Sequence, residues 1–224
     1  MTTAVAPSTA RQLLLASRPL SWINTAFPFA AAYLVTTGRV DAVLVVGTLY
    51  FLIPYNLAMY GINDVFDYES DIRNARKGGV EGVVLDTRWH RTTVWSAAVS
   101  NVPFLAVLLL LGSPVSALAL GITVFAVVAY SAPRLRFKER PVVDSVTSST
   151  HFVGPAAFGL LLAGAPLSAT AVAALAAFFA WGMASHAFGS VQDINASGPR
   201  KQRQCIAVCF RWTLSLCIVQ GKRC

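Results

Sequence analysis

The chain contains the segment Asn63-Asp64-Val65-Phe66-Asp67-Tyr68-Glu69-Ser70-Asp71, which directly follows a long apolar run, Val40–Ile62. In a helix of about 100° per residue, four oxygen-bearing side chains of this stretch fall on one stripe, and Glu69 falls on another face. The four on the stripe are Asn63, Asp64, Asp67 and Asp71.

Three carboxylates on one stripe repel one another, and at a membrane boundary they require a compensating partner. Magnesium prefers carboxylate oxygens and keeps coordination positions open for the phosphate oxygens of a substrate. A solvated acidic helix end is the plainer alternative, but a one-sided stripe next to an apolar run favours a metal site. The pattern therefore predicts Mg²⁺ held by Asp64, Asp67 and Asp71.

The composition places this stretch in a membrane protein. Of the 224 residues, 55% are hydrophobic and 12% are charged, and the mean hydropathy is +0.59. Soluble domains carry about 25% charged residues, so disorder, a coiled coil and an ordinary soluble enzyme are excluded. Of the net charge of +8, a net +6 lies in residues 195–224, and we therefore expect no nucleic-acid partner.

Apolar runs long enough to cross a bilayer recur along the chain, which predicts an all-α, polytopic transmembrane helical bundle with the lipid bilayer as its partner. A seventh run, Ile206–Val219, is short and contains Arg211. The six predicted spans are Trp22–Thr37, Val40–Ile62, Thr92–Leu111, Val115–Ala132, Val142–Ala163 and Leu167–Ser190.

Basic residues gather in alternate connections between these spans. By the positive-inside rule, the N-terminus and the two long loops face the cytoplasm, which predicts a multi-pass protein of the cell membrane. The short connections on the opposite side contain a single basic residue, Arg39. The basic residues on the predicted cytoplasmic side are Arg11, Arg18, Arg73, Arg76, Lys77, Arg88, Arg91, Arg134, Arg136, Lys138 and Arg140.

Two further polar segments lie at the same predicted face. Arginine and lysine bind diphosphate directly, so the basic residues after the acidic stripe and within Tyr130–Lys138 are candidate ligands of a diphosphate, although setting topology would explain them equally well. At the end of span six, the spacing of His186, Ser190 and Asp193 places them on one helical face. By itself His186 is more typical of a packing residue, and Asn56 and His151 receive no role from spacing alone.

The chain resembles the UbiA superfamily of intramembrane prenyltransferases. Asn63–Asp71 matches the first family motif, N-D-x-x-D-x-x-x-D, and Tyr130-Ser131-Ala132-Pro133 is similar to its tyrosine–serine–proline loop. Within this superfamily, the sequence is most similar to the carotenoid branch, the lycopene elongases, at Ser17–Thr25, Ile53–Asn56 and Arg136–Pro141.

The resemblance implies a bundle of about nine spans around a central cavity. It further implies Mg²⁺-assisted transfer of a dimethylallyl group from dimethylallyl diphosphate to lycopene. The implied catalytic residues are Asn63, Asp64, Asp67, Asp71 and Asp193, the four aspartates being the metal ligands. The implied substrate-binding residues are Arg73, Lys77, Tyr130, Arg134 and Lys138.

The C-terminal segment departs from the family pattern. The second motif, D-x-x-x-D, would begin at Asp193, but Ser197 stands at its second aspartate, and all four cysteines follow. We therefore expect residues 1–196 to form a UbiA-type domain truncated after about six spans, and residues 197–224 to be a frameshifted or aberrant tail. Open alternatives are a family member acting on a quinone precursor or tetrapyrrole, an inactive membrane remnant, and a transporter.

Overall fold

A computed structural model describes residues 8–72, 84–140 and 142–192, and within these ranges every regular element is helical. Single turns of 3-10 helix lie at Pro19–Ser21, Thr87–Trp89 and Phe137–Glu139, and a π-helical turn spans Leu57–Gly61. The α-helices are α1 (Thr9–Ala16), α2 (Ile23–Thr37), α3 (Ala42–Leu52), α4 (Pro54–Asn56), α5 (Ile62–Phe66), α6 (Tyr68–Asp71), α7 (His90–Leu111), α8 (Pro114–Ser131), α9 (Val143–Leu162) and α10 (Ala169–Gln192).

The predicted spans agree with these helices to within a few residues, so the all-α membrane architecture is confirmed. Within the described residues, four stretches are long and apolar enough to cross a bilayer: Ala42–Phe66, Thr87–Leu111, Pro114–Ser131 and Ala169–Gly189. The other two predicted spans do not meet these requirements of length and apolarity. Helix α2 has only 15 residues, and α9 is rich in serine and threonine. The expected boundary near residue 196 and the cysteine-rich segment lie outside the described residues and stay predictions.

The second span is broken, because Pro54 cannot donate a backbone hydrogen bond and clashes with the preceding turn. Asn56 repairs the break: its buried amide nitrogen donates to the Phe51 and Leu52 carbonyls at 2.7 and 3.0 Å and contacts Thr25 Oγ1 at 2.8 Å. Asn56, to which the sequence pattern assigned no role, therefore has a structural one. The π-helical turn that follows adds backbone before the acidic stretch and changes which way that stretch faces.

Helix α9 lies at the centre of the bundle, packed against α2, α8 and α10. Its serine and threonine residues are largely buried, and several of their hydroxyl groups donate hydrogen bonds to backbone carbonyls. Thr147 donates to the Val143 carbonyl of the same helix at 2.6 Å, and Ser149 donates to the Phe179 carbonyl of α10 at 2.7 Å. A polar helix is tolerated at bilayer depth when it is enclosed by protein in this way.

An aromatic cluster joins α2, α3 and α9. Phe29 is fully buried, and its ring centroid lies 5.2 Å from that of Phe51 and 5.9 Å from that of Phe158. Tyr50 and Tyr55 extend the cluster through edge contacts. Aromatic pairs at these separations stabilise by about 1 kcal/mol each beyond the area that they bury.

Small residues let the helices approach closely, as is usual where lipid rather than water surrounds a bundle. A Cβ added at Gly159 of α9 would lie 2.7 Å from the Phe29 carbonyl oxygen of α2. A Cβ at Gly182 of α10 would lie 2.5 Å from Ser149 Oγ. Backbone rather than a movable side chain blocks the first position, so the α2–α9 contact is the less adaptable of the two.

Gly159→Ala is therefore expected to destabilise the bundle by about 2 kcal/mol, the usual cost of overpacking. The matched control is Gly121→Ala in α8, where nothing lies within 4 Å of an added Cβ. Thermal unfolding in detergent measures both variants. Equal stability of the two would contradict the close α2–α9 contact.

Candidate active site

The acidic stretch meets cations from two distant segments of the chain. The first is Arg18, whose Nη2 lies 2.8 Å from Asp64 Oδ1, and the Asp64 side chain is fully buried. The Arg18 guanidinium carbon also lies 4.4 Å from the centre of the Tyr60 ring. Since Arg18 both pairs with a carboxylate and stacks on an aromatic face, its guanidinium is held rigidly beside the motif.

The local backbone explains why Arg18 points inward. Helix α1 ends at Ala16 with Ser17 as its C-cap, and Arg18 takes a left-handed conformation with φ of 50°, which turns the chain before Pro19. Trp22 Nε1 donates to the Ser17 carbonyl at 3.0 Å and fixes this corner. A non-glycine residue in this conformation is strained, and such strain persists where the surroundings hold it for a purpose.

The second cation is Lys138, from the connection between α8 and α9. Its ammonium group donates to Asp67 Oδ1 at 2.5 Å and to Asn63 Oδ1 at 3.2 Å, and its side chain is 4% exposed. Ser131, at the end of α8, donates from Oγ to the same Asn63 oxygen at 2.8 Å. Arg136 approaches Asp67 at 3.9 Å. Asn63 and Asp67 are thus held by donors from the end of α8 and the loop that follows it.

Backbone strain is concentrated in this loop. Arg134, Arg136 and Val142 have φ angles of 75°, 39° and 69°. Arg134 and Arg136 precede the 3-10 turn at Phe137–Glu139, which contains Lys138, and Val142 follows it. As with Arg18, the strained positions surround the charged residues.

The residues predicted for the site are placed as follows. Four of them lie close together: Asn63, Asp64, Asp67 and Lys138. Asp71 is buried, with 7% of its surface exposed, and Arg134 is exposed. Asp67 interrupts the expected continuous helix, because α5 ends before it and α6 begins after it. Arg73, Lys77 and Asp193 lie outside the described residues.

Sequence reasoning missed Arg18 and Ser131 as members of the site and did not single out Arg136. Arg18 was counted only as a topology signal, and the contacts of both arginines with the aspartates are separated by 46 residues or more along the chain. Ser131 was visible within the Tyr130–Lys138 motif but received no role. Membership of that motif was the signal that a single sequence offered for Arg136 and Ser131.

A second polar cluster links this site to α10. Tyr130 contacts Asp144 through its hydroxyl group, and its ring packs edge-on against His151 with centroids 5.2 Å apart. His186 Nε2 of α10 lies 3.0 Å from Asp144 Oδ1, and both side chains are about one-fifth exposed. Asp144 therefore stands between the tyrosine of the motif loop and the histidine of α10.

His186 also lines an apolar groove of about 1000 Å³ between α2, α9 and α10. The groove follows α2 from Ile23 to Val35, about 18 Å at the rise of an α-helix. Its walls are mainly alanine, leucine, phenylalanine and tryptophan side chains, with a few serines and threonines. Within the described residues, His186 is the sole titratable side chain of that lining.

These features define a class: an integral membrane helical protein with carboxylates, arginine and lysine converging at one end of its bundle, beside an apolar groove. A family model described as the UbiA prenyltransferase family matches residues 25–219. The chain belongs to the UbiA prenyltransferase family, as its motifs predicted.

Two curated relatives narrow the resemblance. A lycopene elongase/hydratase of Corynebacterium glutamicum is 58% identical over 186 residues, which cover 83% of this chain and 65% of the relative. The C(50) beta-cyclic carotenoids biosynthesis protein LbtBC of a Dietzia species is 57% identical over 188 residues, covering 84% of this chain and 44% of the relative. The chain thus spans less than two thirds of the length of either relative.

Among solved structures, a UbiA homolog from Archaeoglobus fulgidus bound to DMAPP and Mg²⁺ superimposes with a TM-score of 0.71. It is 20% identical, and the match covers 88% of this chain and 72% of the homolog. The likeness confirms the UbiA-type helical fold.

The Arg18–Asp64 pair can be tested for stability. Arg18→Met leaves a buried carboxylate without its arginine and is expected to cost about 3 kcal/mol, as is usual when one partner of a buried pair is removed. Adding Asp64→Asn removes the buried charge and should recover much of that loss. Thermal unfolding in detergent measures both, and a double variant no more stable than the single one would contradict the pairing.

Proposed function

We propose that this chain transfers a dimethylallyl group from its diphosphate to lycopene. The single observation that carries the proposal is the convergence of Asn63, Asp64 and Asp67 with Arg18 and Lys138 at one end of a membrane bundle. Carbon–oxygen cleavage in a prenyl diphosphate requires stabilisation of the anionic leaving group, and preorganised cations supply it. Relatives named lycopene elongase/hydratase support the choice of substrates.

The diphosphate binds to the cations of this site. Lys138 and Arg18 already sit within hydrogen-bond distance of the aspartates, and Arg136 approaches Asp67. Arg73 and Lys77 follow the acidic stretch in sequence, and we include them as diphosphate ligands on the motif alone. Arg134 is exposed and is the weaker member of the predicted set, whereas Tyr130 lies in the last turn of α8, directly before Ser131 of the site.

The donor set fits Mg²⁺ by its chemistry, although in the described part of the chain no three carboxylate, imidazole or thiol groups form a cage. Mg²⁺ is usually bound by one or two carboxylates together with substrate phosphates, so a complete protein cage is not required. Asp64, Asp67 and Asp71 would hold it, with Asp193 as a further ligand by motif. When bound, the ion neutralises charge on the diphosphate and assists its departure. The solved Archaeoglobus fulgidus homolog is bound to the same ion together with DMAPP.

The allylic cation that remains must be shielded from water, and aromatic faces stabilise such cations by about 2 kcal/mol when desolvated. Four aromatic residues flank the motifs. The Tyr60 face is already covered by Arg18, Phe66 is 37% exposed, and Tyr68 packs on His90. Tyr130 is the best placed of the four, because it lies between the charged site and the cluster on α10.

The acceptor enters from the lipid. An apolar groove about 18 Å long suits an extended hydrocarbon better than a polar aromatic acid. A family member acting on a quinone precursor or tetrapyrrole is the alternative function, and an inactive membrane remnant is the other. Incubation of membranes with labelled dimethylallyl diphosphate and either lycopene or an aromatic acceptor separates these alternatives: label in the carotenoid supports the proposal, and label in the aromatic product replaces it.

Asp67→Asn is expected to lower Mg²⁺-dependent diphosphate release by about 100-fold, because it removes a carboxylate ligand of the ion that neutralises the leaving group. Asp64→Asn should behave similarly, and chelation of the metal should stop release by the unaltered chain. Glu69→Gln is the matched control, since Glu69 is exposed in the same segment. Full turnover by both aspartate variants at equal membrane levels would refute the role of the motif.

We further propose that the charged site faces the cytoplasm of a cell membrane, on the basis of the basic residues at that end of the bundle. Arg39 lies at the opposite end, and Arg88 lies at the charged end; both are exposed. In a background with the four native cysteines replaced by serine, Arg39→Cys should react with an impermeant maleimide on intact cells. Arg88→Cys should react only after permeabilisation, and the reverse result would invert the orientation.

A further inference from the structure

We propose that His186, held by Asp144, is the catalytic base that ends the reaction by removing a proton from the prenylated acceptor cation. This inference rests on the proposed function and assigns a chemical step to a cluster outside the acidic motif. Three observations support it: the contact between the two side chains, the position of His186 in the groove, and the link from Asp144 to Tyr130.

The pair has the arrangement of an oriented base. His186 Nε2 lies 3.0 Å from Asp144 Oδ1, within ion-pair distance, so the carboxylate charge stabilises the imidazolium that forms when the ring takes a second proton. The two residues come from different helices, α9 and α10, which fixes the ring relative to the bundle. Among the described residues, two other titratable groups face the pair: Tyr130, whose hydroxyl group contacts Asp144, and His151, which lies near both side chains.

The position of His186 matches the place where the proton must leave. The groove that we assign to the acceptor runs along α2, α9 and α10, and His186 is at the end nearest Tyr130 and the charged site. The reacting double bond of the acceptor must lie between the groove and the diphosphate. Among the described residues that line the groove, no other side chain can accept a proton near neutral pH.

The chemistry balances without a further reactant. The bond between the allylic carbon and the diphosphate oxygen breaks, and the diphosphate leaves with the electron pair. The π electrons of the terminal double bond of the acceptor form the new carbon–carbon bond, which leaves a tertiary cation. The His186 imidazole takes a proton from the adjacent carbon, the C–H electrons form a new double bond, and the imidazolium later gives its proton to water.

Without the base, water adds to the same cation, and loss of a proton from the added water gives an alcohol. The identity of residue 186 therefore determines the ratio of alkene to alcohol in the product. A residue with a purely structural role would lower both products together. This difference separates catalysis by His186 from packing by His186.

The test uses the full chain in membranes with dimethylallyl diphosphate, Mg²⁺ and lycopene. For His186→Gln we expect diphosphate release within about threefold of the unaltered chain and a fall of about 100-fold in the alkene-to-alcohol ratio, the usual contribution of a general base. Asp144→Asn should change the ratio in the same direction by a smaller factor. His90→Gln is the matched control, the same substitution at a histidine outside the groove, and should leave the ratio unchanged.

A second measurement guards against loss of folding in the variants. His186→Ala opens space at the end of the groove, and added imidazole should restore alkene formation without changing diphosphate release. An unchanged product ratio in His186→Gln, or a parallel loss of both products without imidazole rescue, overturns the inference and leaves the proposed function standing. Absence of diphosphate release by the unaltered chain refutes the proposed function itself, and the inference falls with it.

Discussion

The compensation of buried carboxylates by cations is the constraint on which the rest of the structure depends. Asp64 is fully buried and Asp67 is 15% exposed, and a carboxylate at the edge of a bilayer is costly unless it is paired. Arg18 supplies one cation from before the first long helix, and Lys138 supplies another from after the fourth. The two pairs tie the ends of α1, α5 and α8 together at a single point.

In the proposed function, the same pairs prepare the site for a polyanion. Arg18 lies against Asp64 and Lys138 lies against Asp67, so both carboxylates have cationic partners before any ligand is present. Binding of a metal ion and a diphosphate would then exchange one set of ion pairs for another instead of creating charge in a region of low dielectric. The strained backbone at Arg18, Arg134 and Arg136 is the local cost of bringing these groups together.

Much of this arrangement could be predicted from a single sequence. Apolar runs located the helices to within a few residues, and the spacing of Asn63, Asp64 and Asp67 identified the stretch that forms the site. The π-helical turn at Leu57–Gly61 and the helix break at Asp67 could not be predicted, because each depends on contacts with other helices.

The partners that sequence reasoning missed share one property: the contacts are distant along the chain. In the sequence, Arg18 indicates only membrane topology. The structure places it beside Asp64, which lies 46 residues later in the chain. His186 reads as a packing residue until Asp144 is found on the neighbouring helix. Local periodicity describes which face a residue occupies but carries no information about which other helix that face will meet.

Helix α10 packs chiefly on α9, and its inner contact is a seam of small groups, Gly182 against Ser149, with the hydroxyl of Ser149 on the Phe179 carbonyl. The acidic motif and its cations lie on other helices. Under the proposed function, substitutions along α10 can therefore reshape the hydrocarbon channel while the pyrophosphate chemistry is retained. Such modularity would give evolution a way to alter the range of terpenoid substrates by changing one wall of the bundle.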